Sequence, residues 1–203
     1  MKKQVVDLES QIKALELELS QLKAGMLADS VIPDYTLADE RGKVSLKQLF
    51  AGRQDLLVVH NMGSKCAYCT AYADGFNGVL PHLLARTAFV VISPDTPEVQ
   101  KKFAASRGWR FRMASARNTS FSKDLGFEDT PGEYWPGASA LRLQPDGTLR
   151  RTGFTSFDPG DKFSPIWPMI GLLDPRHGAD WEPKISYEDE PAAVQATAGC
   201  KSC

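Results

Sequence analysis

Between Leu56 and Gly78 the chain reads LLVVHNMGSKCAYCTAYADGFNG, an apolar run, a short polar turn, then two cysteines separated by two residues. No other stretch narrows the choice of fold so far. Leu56 to Val59 are aliphatic and half β-branched, as a buried strand would be, and His60 to Lys65 contain the Gly and Ser that let a chain turn. From Cys66 onward the composition suits a helix running to about Gly78. Cys66 then lies in the first turn, where free backbone N–H groups and the positive end of the helix dipole stabilise a thiolate and make it a nucleophile at neutral pH. Cys69 follows one turn later on the same side and can close a disulfide with it. Buried free cysteines are common as small hydrophobes, but this spacing at a strand-to-helix turn favours redox chemistry.

The remaining segments place this unit in an α/β layer architecture. Tyr35 to Ala38 reads as a strand, and Ser45 is a cap for a following helix. Pro81 restarts a turn of helix through Leu84. AFVVIS (88–93) is a second buried strand, continuous in apolar character as expected of a parallel strand covered on both faces, and a helix follows from Pro97 to Arg107. Residues 109–116 alternate weakly as a further strand, Phe121 to Leu125 make a short helical turn, and 130–137 form a Pro- and Gly-rich loop. ASALRLQ and TLRRTGFT, joined by Pro145, Asp146 and Gly147, predict a hairpin, and Ser164-Pro165 opens a helix toward Leu173.

Before this domain, residues 4–26 carry apolar side chains at Val5, Leu8, Ile12, Leu15, Leu19, Leu22 and Met26, in alternating steps of three and four. This is a heptad pattern with β-branched residues at the first a positions and leucine at d, which favours two parallel strands and sets Glu18 of one chain against Lys23 of another. A homodimer through 4–26 is expected, with the helix folding back on its own domain as the alternative. Three segments result: a coiled-coil helix over 1–27, one α/β domain over 30–187, and a tail over 188–203. The tail is acidic and then rich in Ala, Thr and Gly, reads as disordered, and ends in a second Cys-x-x-Cys, Cys200 and Cys203.

Charge excludes several partner classes. Twenty-four basic residues nearly balance 25 acidic ones, giving a net charge of -1, so no nucleic-acid or membrane surface is expected. No apolar run reaches membrane-spanning length, and Met1 to Ser10 lacks the apolar core of a secretory signal. Cytoplasmic residence is the expectation. In that reducing compartment a cysteine pair serves catalysis or metal binding rather than as a permanent staple.

The stretch IPDYTLADERGKVSLKQLF and the cysteine helix resemble the opening of the thioredoxin-like superfamily, especially its peroxiredoxin and extracytoplasmic reductase branch. HNMGSKCAYCTAYADGFNG, AFVVISPDTPEVQKKFAASRGWRF and DWEPKISY more closely resemble a bacterial thioredoxin-like family catalogued as a domain of unknown function, the DUF899 group. The resemblance covers roughly residues 30–187 and implies a thioredoxin-like fold, a central mixed sheet flanked by helices. It supplies no substrate. Peroxiredoxins place Thr or Ser three residues before their peroxidatic cysteine, where this chain has Gly63, which disfavours peroxidase activity. Thioredoxin places Gly-Pro between its cysteines, whereas this chain has Ala67-Tyr68. The fold also implies a proline facing the disulfide; Pro136 stands in that place, and a cis Trp135-Pro136 bond is one of its two options.

The expected function is thiol-disulfide exchange on a protein or small-molecule disulfide or thiol, with no cofactor. Cys66 is the nucleophile and Cys69 resolves; Cys200 and Cys203 exchange with that pair, and Tyr68 shapes the groove. Two alternatives stand beside it. One is a thiolate site for zinc or copper(I) built from Cys66, Cys69, Cys200 and Cys203, with or without His60. The other is a coiled-coil interaction protein whose domain is catalytically silent.

Overall fold

A computed structural model describes residues 1–27, 30–173 and 181–187. Strand β1 (Val31–Ile32) is followed by a hairpin of β2 (Thr36–Asp39) and β3 (Gly42–Ser45). Helix α1 (Lys2–Met26) precedes them, and α2 (Leu46–Leu49) follows with a complete capping box between Ser45 and Gln48. The central strands are β4 (Asp55–His60) and β5 (Ala88–Ser93), separated by α3 (Ala67–Arg86). Helix α4 (Pro97–Arg107), capped by Thr96 and ended by a left-handed Gly108, leads to β6 (Arg112–Ser115). The chain closes with α5 (Phe121–Asp124), the small pair β7 (Glu128–Thr130) and β8 (Glu133–Tyr134), the long hairpin β9 (Gly137–Leu143) and β10 (Leu149–Ser156), and α6 (Ile166–Gly171).

Eight strands form one mixed sheet in the order β1-β10-β9-β4-β5-β6-β2-β3. β4, β5 and β6 run parallel, and β9 pairs antiparallel to β4. Two cores cover the two faces. Leu46, Phe50, Leu56, Val58, Val90, Ile92, Phe121 and Phe127 fill one, under α2 and α5. Tyr72, Ala73, Leu80, Val91, Phe157 and Trp167 fill the other, beneath α3, with Phe103 and Ala104 of α4 packed against them. β5 is buried at every position, as its unbroken apolar run requires.

The structure departs from the sequence reading at Pro81. A single helix runs from Ala67 to Arg86, straight through Gly78 and Pro81. Proline has no N–H to give the carbonyl four residues back. That carbonyl belongs to Asn77 and accepts from Arg110 Nη2 at 3.4 Å, while Asn77 Oδ1 accepts from the Arg110 backbone at 2.9 Å. A tertiary partner therefore replaces the missing helical bond. The loop expected over 130–137 also contains paired backbone, the β7–β8 ladder.

Gly137 marks a close approach at the carboxyl end of β4, where it pairs with His60. A Cβ there would lie 2.3 Å from the Thr155 carbonyl and 2.4 Å from Phe127 Cε1. Gly137→Ala is expected to lower stability by about 2–3 kcal/mol, because backbone and a core ring must both move; urea unfolding of the two proteins measures it, and equal midpoints would remove this constraint.

Candidate redox site

β4 and β5 are parallel, so the loops leaving both strands emerge at the same edge of the sheet. The loop after β4 carries Asn61 to Lys65 and delivers Cys66; the loop after β5 carries Asp95. Their contacts fix the path. Asn61 donates its N–H to Ile92, and its side-chain oxygen accepts from Gly63 N–H at 2.7 Å. Asp95 accepts from Ser64 N–H at 2.6 Å. Gly63 has φ +109, and a Cβ added to it would meet the Asp95 carboxylate at 3.1–3.3 Å. Glycine at 63 is thus demanded by backbone and neighbour together.

Cys66 is the N-cap of α3, one position earlier than a first-turn residue. Its sulfur accepts from Cys69 N–H at 3.0 Å, so the thiol itself replaces the usual capping oxygen. Cys66 is half-buried, Cys69 is 3% exposed, and both are free thiols. The Cys69 thiol and the backbone N–H groups of Cys69 and Tyr68 favour a charged Cys66 and bring its pKa down to about 7 against the opposing pull of burial. Cys69 is driven the other way, first by its bond to Cys66 and then by burial, although Met62 N–H donates to its sulfur at 3.4 Å. The two sulfurs are thus driven in opposite directions, Cys66 toward its thiolate and Cys69 toward its thiol.

Tyr68 is half-buried, with its ring parallel to Trp167 at 6.0 Å, so it braces α3 against α6 beside the cysteines. Tyr72 follows Cys69 on α3, stacks on Phe157 at 4.8 Å and donates to the Asp158 carbonyl at 2.7 Å. Pro136 sits just before Gly137, at the sheet edge from which the cysteine loop leaves, and its carbonyl accepts from Phe157 N–H. The Trp135-Pro136 bond is trans, since no peptide bond among the described residues is cis. Trp135, Pro136, Phe154, Phe157 and Asp158 line a groove of about 760 Å³, and Trp135 is 54% exposed.

His60 lies elsewhere. Its ring stacks on Phe127 at 3.7 Å and on Phe121 at 5.5 Å, in the core across the sheet from α3, and Nε2 meets Ser139 Oγ at 2.9 Å. Burial and the nearby Arg151 cation keep it neutral. Its Nδ1 has no partner, nor do Nε and Nη2 of Arg151. No group of three or more His, Cys, Asp or Glu able to hold a metal occurs among the described residues. Cys200 and Cys203 lie outside the described residues. Sequence reasoning missed Asp95 and Asn61; the available signal was SPDTP directly after a second buried parallel strand.

A strand-loop-helix that presents two cysteines at a helix start, within a mixed sheet closed by a hairpin, defines the thioredoxin-like class. Residues 2–174 match a family described as "Bacterial protein of unknown function (DUF899)", and the chain belongs to it. Solved structures agree on the fold. Reduced Prx3 from Vibrio vulnificus, in complex with hydrogen peroxide, superposes with TM-score 0.52 at 18% identity, over 65% of this chain and 88% of that one. Peroxidoxin BcpB from Mycobacterium tuberculosis gives 0.52 at 20%, over 63% and 83%. A peroxiredoxin-like protein from Aquifex aeolicus gives 0.50 at 13%, over 63% and 74%. No curated protein matches. No described helix is long and apolar enough to cross a membrane.

Two measurements follow from this geometry. Alkylation of Cys66 by iodoacetamide should rise with pH about a midpoint near 7, and a midpoint near 9 would contradict the bonding of its sulfur. Gly63→Ser should cost about 2 kcal/mol of stability in the reduced protein, through strain at positive φ and crowding of Asp95; denaturant titration reads it.

Proposed function

We propose that the protein is a thiol-disulfide oxidoreductase in which Cys66 attacks and Cys69 resolves. The observation that carries this reading is the opposed treatment of the two sulfurs, one capped by N–H groups with a pKa near 7, the other buried and held as a thiol. Cys66 thiolate attacks one sulfur of a substrate disulfide, forming a mixed disulfide and expelling the other sulfur as a thiolate. Once Cys66 is bonded its charge is gone, and with it the main influence holding the proton on Cys69. Cys69 then loses its proton and attacks Cys66 Sγ. The second substrate thiolate leaves, the substrate has gained two electrons, and the pair is oxidised. A dithiol must return those electrons, and Cys200 with Cys203 is the dithiol the chain itself carries.

The substrate is a protein or small-molecule disulfide, and no cofactor enters the cycle. The groove at Trp135 and Pro136 runs along the hairpin end, and neither Cys66 nor Cys69 lines it. The likeness to peroxiredoxins supports the fold, while Gly63 fills the position where those enzymes need a hydroxyl, which disfavours peroxide as the oxidant.

Turnover of a model disulfide should vanish in Cys66→Ser, whereas Cys69→Ser should accumulate a mixed disulfide visible by intact-mass spectrometry. Unchanged turnover in Cys66→Ser would sink the proposal. The tail's part is read separately: Cys200→Ser with Cys203→Ser should leave single-turnover reduction intact and slow re-reduction of the 66–69 pair.

A further inference from the structure

Helix α1 has 25 residues and none is buried. A helix of this length takes most of its stability from packing an apolar face, so a stripe left in water calls for a cover. The stripe is Val5, Leu8, Ile12, Leu15, Leu19, Leu22 and Met26, each 51–75% exposed. The protein's own domain does not cover it. Contact between α1 and the body is polar and runs along one flank: Glu16 pairs with Lys162 at 3.5 Å, and Lys23 donates to the Phe154 carbonyl at 3.4 Å with its ammonium 5.2 Å from that ring. Glu16 and Lys23 are seven residues apart, both at the e position of the heptad whose a and d residues form the stripe. The helix therefore leans on its domain by an edge and leaves its seam outward.

We propose that this seam is the interface for a second copy of the chain, in a parallel two-stranded coiled coil over residues 4–26. Seam chemistry and flanking charge both select that occupant. Val5, Ile12 and Leu19 at a with Leu8, Leu15 and Leu22 at d belong to the pattern that favours two parallel strands. In the parallel register g faces e of the next heptad, which sets Glu18 against the partner's Lys23, Gln11 against the partner's Glu16 and Gln4 against the partner's Glu9. One pair is attractive and none repels. The antiparallel register sets e against e and brings Glu9 beside the partner's Glu16, an unfavourable pair. The redox site takes no part in these contacts, so the dimer stands or falls independently of the thiol chemistry.

Sedimentation velocity of the full reduced chain, across micromolar to hundred-micromolar concentrations, tests the proposal. The wild-type protein should sediment as a dimer. Ile12→Lys combined with Leu15→Lys should convert it to a monomer, while Leu17→Lys, at an equally exposed position off the seam, should leave the dimer intact. Glu18→Lys should weaken association several-fold, and Glu18→Lys with Lys23→Glu should restore it. Near-UV circular dichroism should be unchanged in the seam, Leu17 and Glu18 variants, because those positions of α1 touch no residue of the domain core. A monomeric wild-type chain, a dimer that survives the seam lysines, or equal dissociation by Leu17→Lys overturns the interface. Failure of the double charge swap to restore association overturns the parallel register.

Discussion

β4 is enclosed on four sides, by β5 and β9 within the sheet and by a core on each face, and the rest of the molecule is arranged around that enclosure. A strand so enclosed must satisfy its polar backbone through its neighbours, and each neighbour answers. β5 continues the ladder past the strand end, taking the Asn61 N–H on Ile92. Beyond Asn61 no strand remains to pair with, so the chain leaves the sheet and must supply its own partners. Asn61, Asp95 and the Cys69 sulfur do so for Gly63, Ser64 and Met62 in turn. The cysteine helix can start only where that sequence of contacts ends.

The site stabilises negative charge on sulfur without relying on a cation. Dipoles perform the work: the backbone N–H groups of α3 and the Cys69 thiol point toward Cys66. The nearest carboxylate in the adjoining loop, Asp95, is occupied by Ser64 N–H, which orients it toward the loop backbone. The half-buried cation Arg151 lies against the Phe127 and Phe154 rings at 5.4 and 4.7 Å, where ring faces offset part of its lost hydration. Its charge adds to burial in keeping His60 neutral.

Much of this was legible in the sequence because the signals were local. Continuous apolar runs gave the parallel strands, Pro97 and Ser45 gave helix starts, and Pro-Asp-Gly gave the hairpin. The cysteine spacing is the sequence signal on which the proposed thiol chemistry rests. What escaped depended on distant residues. Nothing within α3 foretells that Arg110, after α4, accepts the role of partner to Asn77 and lets the helix pass Pro81. His60 stood in the sequence as an optional ligand of the alternative metal site, and its enclosure by Phe121 and Phe127, more than sixty positions later, could not be read locally. Gly63 signified a departure from peroxiredoxins in the sequence, and only the Asp95 carboxylate shows why the position must be glycine.

Because the Cys66 sulfur is also the cap of α3, the proposed thiol exchange and the secondary structure share one atom. A thiolate is a strong acceptor for the Cys69 amide, whereas a neutral disulfide sulfur is a weak one. In the proposed cycle, oxidation would loosen the first turn of α3 by about 1 kcal/mol, the worth of an ordinary cap. By the same linkage the folded helix would favour the reduced form of the proposed couple, and stabilising the reduced state makes a dithiol pair more oxidising. The helix start is in this sense part of the electrode.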